Sequence, residues 1–254
     1  MFELDALDIA AILPFFAVGF VAQIVDGALG MAFGTISSTL LISLGVPPAA
    51  ASAGVHTVEC FTTGVSGASH VLHRNIDWKL FARIVIPGVI GGVLGAYVLT
   101  QTPADVARPV VLAYLALIGL YLLVRGFRAK HEEKAPRIVE PLGLAGGFLD
   151  AAGGGGWGAV VTSNLLVQGA NPRKVVGTVN TAEFFVTLTI SATFIATLGF
   201  ETFTPAILGL LAGGILAAPF GALVAKRVDA RTLLIMVGIV LTLTSLVSLV
   251  STLA

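Results

Sequence analysis

Apolar residues fall into long blocks separated by short polar or glycine-rich intervals, and the blocks come in two lengths. Those at 9–25, 49–72, 80–99, 106–124, 175–198, 203–225 and 233–254 are close to the roughly 20 residues a helix needs to cross a ~30 Å hydrocarbon core. Those at 30–44, 141–152 and 157–168 hold only about a dozen to fifteen residues, too few to cross alone. The pattern predicts an all-α polytopic membrane protein in which some helices stop part-way. The block at 49–72 carries His56, Glu59, Cys60 and many small or hydroxyl residues, the composition of a helix packed inside a bundle rather than against lipid.

The short blocks flank the densest glycine runs. Seven glycines lie between 146 and 158, four of them consecutive at 153–156, beside Asp150 and Trp157. Each glycine costs about 1 kcal/mol against alanine inside a helix, so the run predicts a break where bare backbone is required. Sliding the chain by 124 residues lays 26–61 on 150–185 without a gap and makes eleven of thirty-six positions identical. The matches include Asp26/Asp150, Gly30/Gly154, Gly34/Gly158, Thr57/Thr181 and Glu59/Glu183. Such self-similarity marks a duplicated unit. The expected organisation is a first half at 1–126, a cytoplasmic linker at 127–140 and a second half at 141–254. Each half would hold three full crossings plus a broken or re-entrant helix pair.

Charge orients this arrangement. If each broken pair enters and leaves on one side, each half crosses an odd number of times and the second half is inverted relative to the first. With the N-terminus outside, thirteen of the fourteen Lys and Arg fall on the cytoplasmic side and only Arg108 falls outside, the bias of the positive-inside rule. Both termini are expected outside, and the chain in the inner (cytoplasmic) membrane of the cell. The acidic N-terminus has no basic region ahead of an apolar core, so a cleaved signal peptide is not expected.

Composition supports the class: 56% of residues are hydrophobic and 11% charged, against about 25% charged in soluble domains. Zero net charge argues against a nucleic-acid partner. The single Cys60 excludes an internal disulfide or a paired-thiol relay. The glycine runs follow no strand and open no βαβ unit, no Ser-His-Asp or metal-hydrolase spacing occurs, and His56-x-x-Glu59 lacks further ligands. Neither an enzyme, a cofactor nor a metal site is expected.

Of fourteen acidic residues, only Asp26, Glu59, Asp150 and Glu183 lie within apolar segments, and they form two repeat pairs. Buried carboxylates are costly in a bilayer, so a duplicated pair signals function, with caps and interhelical bonds as the structural alternative. That alternative fits Asp26 and Asp150 best, since each stands beside a break where an N-cap is wanted. Half-helices meeting near the midplane from opposite sides are a recurring transporter design, and their N-terminal N–H groups and dipoles attract anions. The only Lys or Arg inside the apolar blocks are Arg83 and Arg108, each within the first turn of its block and so near a membrane face. An anion would be held by N–H groups and by hydroxyls, among them Ser37, Ser38, Thr162 and Ser163. The candidate substrate contacts are Gly27, Gly30, Gly34, Thr35, Thr57, Gly153, Gly154, Gly155, Gly156, Trp157, Asn180 and Thr181, with the substrate's bulkier end beside Trp157 or Phe33. Candidates for coupling or gating are Asp26, His56, Glu59, Asp150 and Glu183, where a proton or Na⁺ would neutralise the carboxylates and His56 would share a proton with Glu59 one turn away. Expected partners are a small anion and the lipid bilayer; a homo-oligomer is compatible with the sequence.

The paired segments Gly27-Ala28-Leu29-Gly30-Met31-Ala32-Phe33-Gly34 and Gly153-Gly154-Gly155-Gly156-Trp157-Gly158 are each followed by a short helix, Gly-x-x-Pro and a polar Thr-x-Glu. In these the chain resembles the TauE/SafE sulfite exporter family over nearly its whole length. The resemblance implies a secondary transporter, an exporter, of a small sulfur oxyanion or organosulfonate such as sulfite or sulfoacetate. The family's thiosulfate carriers use several cysteines, and the lone Cys60 sets this chain apart from them. A coupled carrier of another small anion and a passive anion channel are the alternatives.

Overall fold

The computed structural model describes residues 9–29, 31–127, 135–199, 205–227 and 230–253, and every regular element among them is helical. In chain order these are α1 (Ile9–Leu29), α2 (Phe33–Ser43), α3 (Pro48–Leu72), α4 (Trp78–Gln101), α5 (Ala104–Phe127), α6 (Glu140–Gly153), a π-helical turn at Gly158–Thr162 leading into α7 (Ser163–Val167), α8 (Pro172–Leu198), α9 (Pro205–Arg227) and α10 (Ala230–Leu253). Four spans within α4, α5, α8 and α10 are long and apolar enough to cross a membrane, and α2 and the 158–167 segment are short apolar helices. Large apolar side chains face outward, among them Val65 at 76% exposure and Val250 at 66%. A chain folded in water would bury such surface, whereas lipid is its natural cover.

Local chemistry sets the helix ends. Asp77 caps α4 by accepting from the N–H groups of Lys79 and Leu80, and Asn171 caps α8 by accepting from Lys174, with Pro172 next to it. The two short helices stop in the same way. Gly45 and Gly169 take φ of 95° and 94°, and the next residues, Val46 and Ala170, donate back to the carbonyls of Leu41 and Leu165. This is the glycine-terminated motif that closes a helix with a left-handed residue.

Small residues set which helices pair. α1 lies along α9 at Gly19, Gly209 and Gly213, and α4 lies along α6 at Gly91, Gly95, Gly143 and Gly147; a Cβ at each would strike the facing backbone. α5 packs on α10 through Gly119 and Gly238, and α3 on α8 through Gly64 and Gly67. Close approach through glycine is how helices gain dispersion energy in lipid, where no hydrophobic drive remains.

Polar ties gather the helix ends into two groups. At one end Arg108 donates to the carbonyls of Gly45 and Val46, and Ser43 meets Ser248 at 2.8 Å. At the other, the Lys174 ammonium donates to the carbonyls of Arg74 and Ile76, and Arg83 forks onto Glu140 at 2.5 and 3.0 Å. Gln168 Oε1 accepts from the N–H groups of Arg137 and Ile138 at 2.9 and 3.0 Å, and its Nε2 donates to the Ile138 carbonyl. The second short pair therefore returns to the end from which it set out, a helical hairpin.

Two boundaries differ from expectation. α1 continues to Leu29, which puts Asp26 in its last turn rather than ahead of a helix, and α5 continues to Phe127, which carries Arg125 on the helix. Gly30, residues 1–8 and half of the expected linker, 128–134, lie outside the described residues.

Candidate functional site

The two breaks are built alike around their aspartates. Asp26 Oδ1 accepts from the Phe33 N–H at 3.1 Å, and Asp150 Oδ1 accepts from the Trp157 N–H at 2.8 Å. Both bonds span seven residues, both pairs are related by the 124-residue shift, and each serves an N–H at the start of a short helical segment that no helical carbonyl can reach. Each aspartate thus holds the backbone across its break through a single side-chain oxygen.

The second break needs its glycines. Gly154 closes α6 in the left-handed region at φ 74°, its N–H and that of Gly155 both donating to the Asp150 carbonyl; Gly155 and Gly156 follow at φ 142° and 139°. Three successive positive φ values are accessible only to glycine at low cost. In the first break the counterpart of Gly156 is Ala32, a non-glycine held at φ 109°.

Beyond their conformation, the breaks touch. A Cβ on Gly34 would stand 2.9 Å from both the Gly155 Cα and Glu59 Oε1, and one on Gly155 would strike the Gly34–Thr35 peptide. Ser38 donates its hydroxyl to the Gly154 carbonyl, and Tyr114 donates to the Gly155 carbonyl at 3.2 Å. The first turn of α2 and the loop 154–156 therefore form one contact in the middle of the bundle, roofed by α3 and α5.

α3 supplies a buried polar chain. Ser52 donates to the Ala151 carbonyl at 2.8 Å. His56 Nδ1 lies 2.7 Å from the Ser52 carbonyl, an acceptor only, so Nδ1 carries a proton. Its Nε2 then meets Asp150 Oδ2 at 3.1 Å, with His56 fully buried and Asp150 1% exposed. His56 thus bonds to Asp150 and Ser52 rather than to Glu59, because the hairpin brings the Asp150 carboxylate to the imidazole.

The remaining predicted residues divide. The hydroxyls of Thr57 and Thr181 are spent on the carbonyls of Ala53 and Gly177 four residues back, as is common for threonine in helices; Thr35 donates to Ala32. Glu59 is buried with Oε2 unpartnered among the described residues, and so is Asn180 Oδ1. Glu183 is half-buried on α8, and Gly27 lies in the last turn of α1. Trp157 is fully buried, its Nε1 donating to the Val179 carbonyl at 3.1 Å and its ring edge set against Gly88. No cluster of three or more His, Cys, Asp or Glu suited to a metal occurs among the described residues. Sequence reasoning missed Ser52, Tyr114 and Arg125. Of these, only Ser52 left a local signal, one turn ahead of His56.

This architecture of broken helices facing buried carboxylates belongs to a class of polytopic membrane transporters, and comparison with known proteins agrees. Residues 15–248 match the family described as Sulfite exporter TauE/SafE, and the chain belongs to that family. It is 42% identical over 236 residues, 89% of this chain and 79% of the relative, to a protein of Bacillus subtilis (strain 168) named "Probable membrane transporter protein YtnM". No solved structure matches.

Proposed function

We propose that the protein is a secondary transporter, not an enzyme, that exports a small sulfur oxyanion or organosulfonate such as sulfite or sulfoacetate across the cytoplasmic membrane. The observation that carries the reading is the contact of the Gly34 turn with the Gly155 loop beside Glu59. A substrate passing between two half-helices must part these backbones, which makes the contact a natural gate and binding place; the substrate contacts proposed with Gly34 are Gly27, Gly30, Thr35, Thr57, Gly153 to Gly156, Trp157, Asn180 and Thr181.

The breaks come from two halves, 1–126 and 141–254, taken to be inverted repeats. Their support is the exchange of partners: α1 with α9 matches α6 with α4, while α3 with α8 and α5 with α10 pair counterparts with each other. Both termini are then outside by the charge bias. Asp26 and Asp150 fix the breaks. Glu59, Glu183 and the His56–Asp150 pair carry the coupling ion, a proton or Na⁺, and the unpartnered Glu59 oxygen is a seat for it.

Counterflow in proteoliposomes tests this with a panel of sulfite, sulfoacetate, taurine, sulfate and carboxylates. Saturable exchange of sulfite or sulfoacetate is expected. Exchange of carboxylates alone would assign another anion, and an ohmic current would replace the carrier with a channel.

A further inference from the structure

α5 ends in a cation that the transport reading leaves unused. Arg125 is half-buried, and its Nη1 donates to the hydroxyl of Ser163, which is fully buried at the start of α7. Ser163 Oγ in turn lies 4.0 Å from the sulfur of Met31, two residues ahead of α2. The guanidinium thus sits between the linker-side end of the bundle and both broken elements. Among the described residues the only ion pairs are His56–Asp150 and Arg83–Glu140, and none of their carboxylates meets Arg125. Elsewhere at this end Lys174 ties two carbonyls and Arg83 holds Glu140.

A neutral hydroxyl needs no positive charge as its partner, and withdrawing an arginine from water without an anion is costly. The repeat sharpens the point. By the 124-residue shift the counterpart of Arg125 is Leu249, packed against the core, and that of Ser163 is Thr39, buried with its hydroxyl unpartnered. The cation therefore exists on one face only. Its planar fork of donors matches the oxygens of a sulfite or sulfonate group, which it can hold at two points.

We infer that Arg125, with the Ser163 hydroxyl beside it, receives the tetrahedral or pyramidal sulfur oxyanion on the linker-side face before it reaches the contact of the two breaks. The inference rests on the transport reading above and adds a side to it: loading from the face that holds Arg83, Lys174 and Gln168.

The test uses ³⁵S-sulfite and sulfoacetate with the full chain in inside-out and right-side-out membrane vesicles, so that each face is presented separately. Arg125→Gln should raise KM at the linker-side face by about tenfold, as expected for loss of a charged hydrogen bond, and leave KM at the other face and the maximal rate unchanged. Arg125→Lys should recover part of the affinity, and Ser163→Ala should raise KM by a smaller factor. Unchanged KM at the linker-side face in Arg125→Gln, or equal increases at both faces, overturns the inference. If Arg125→Gln fails to insert, the Lys and Ala variants decide alone, and unchanged KM in both overturns it. Should the wild-type chain carry neither anion, the transport reading falls first and this contact with it, a result distinct from any variant effect.

Discussion

Gly34 and Gly155 pack backbone on backbone: a methyl on Gly34 would lie 2.9 Å from the Gly155 Cα, and one on Gly155 would strike the peptide joining Gly34 to Thr35. The bare backbone that the glycine runs demand is thus required by a long-range contact as well as by local conformation. Gly155→Ala adds a methyl to this contact at φ 142°, so overpacking of about 1–3 kcal/mol joins backbone strain. Gly34→Ala meets the same neighbour and the Glu59 carboxylate without the strain. Both variants should lose counterflow, with a lower thermal midpoint in detergent and the larger drop in Gly155→Ala. Wild-type transport by either would remove the contact from the mechanism.

The repeat also predicts opposite effects at one matched position. Ala32 at φ 109° stands where the second half has Gly156 at φ 139°. A left-handed alanine costs about 1–2 kcal/mol, while glycine in its place loses about 0.5–1 kcal/mol more entropy on folding. Ala32→Gly should therefore leave stability unchanged or raise it slightly. Gly156→Ala meets both the strain and the Tyr114 hydroxyl, and should destabilise clearly. Combining it with Tyr114→Phe, which removes the obstructing oxygen, should restore part of the loss in a double-mutant cycle read by thermal melts.

Much of this arrangement was legible in the chain. Block lengths gave the helices to within a few residues, and the 124-residue shift singled out Asp26 and Asp150, whose bonds to Phe33 and Trp157 follow the same shift. What stayed hidden depends on tertiary contact. Helical spacing put His56 beside Glu59, but the hairpin from 140–167 brings Asp150 to the imidazole instead. Arg125 falls just beyond the apolar block at 106–124 because hydropathy counts the charge and not the depth that a long side chain can reach. The left-handed Ala32 was invisible for a further reason: an alanine carries no sequence mark of the conformation its surroundings impose.

The two aspartates share a cap but differ in burial, and this separates their stability effects. Asp26 is half-buried and among the described residues bonds to the Phe33 N–H, whereas Asp150 is 1% exposed and also faces His56 Nε2. Breaking a buried pair by removing one partner costs about 3–5 kcal/mol, while a single neutralised cap costs about 1 kcal/mol. Asp150→Asn should therefore lower the thermal midpoint in detergent far more than Asp26→Asn. Equal losses would mean that the histidine contact adds nothing to the fold.

Trp157 poses the sharpest choice between packing and substrate contact. Its indole is fully enclosed, donates to the Val179 carbonyl at 3.1 Å, and fits a slot in which a Cβ on Gly88 would stand 2.6 Å from the ring. A residue so placed holds α8 and α4 to the hairpin. Trp157→Phe removes the donor and leaves a small void, with a cost of about 1 kcal/mol for the bond and more for the lost contacts. Gly88→Ala should destabilise from the other side of the same slot. If the indole serves packing, both variants lower the thermal midpoint while KM for sulfite or sulfoacetate stays within about twofold, a change of under half a kcal/mol. A raised KM in Trp157→Phe with an unchanged midpoint would put the ring on the substrate instead, because a side chain that bears no packing load can change only what it binds.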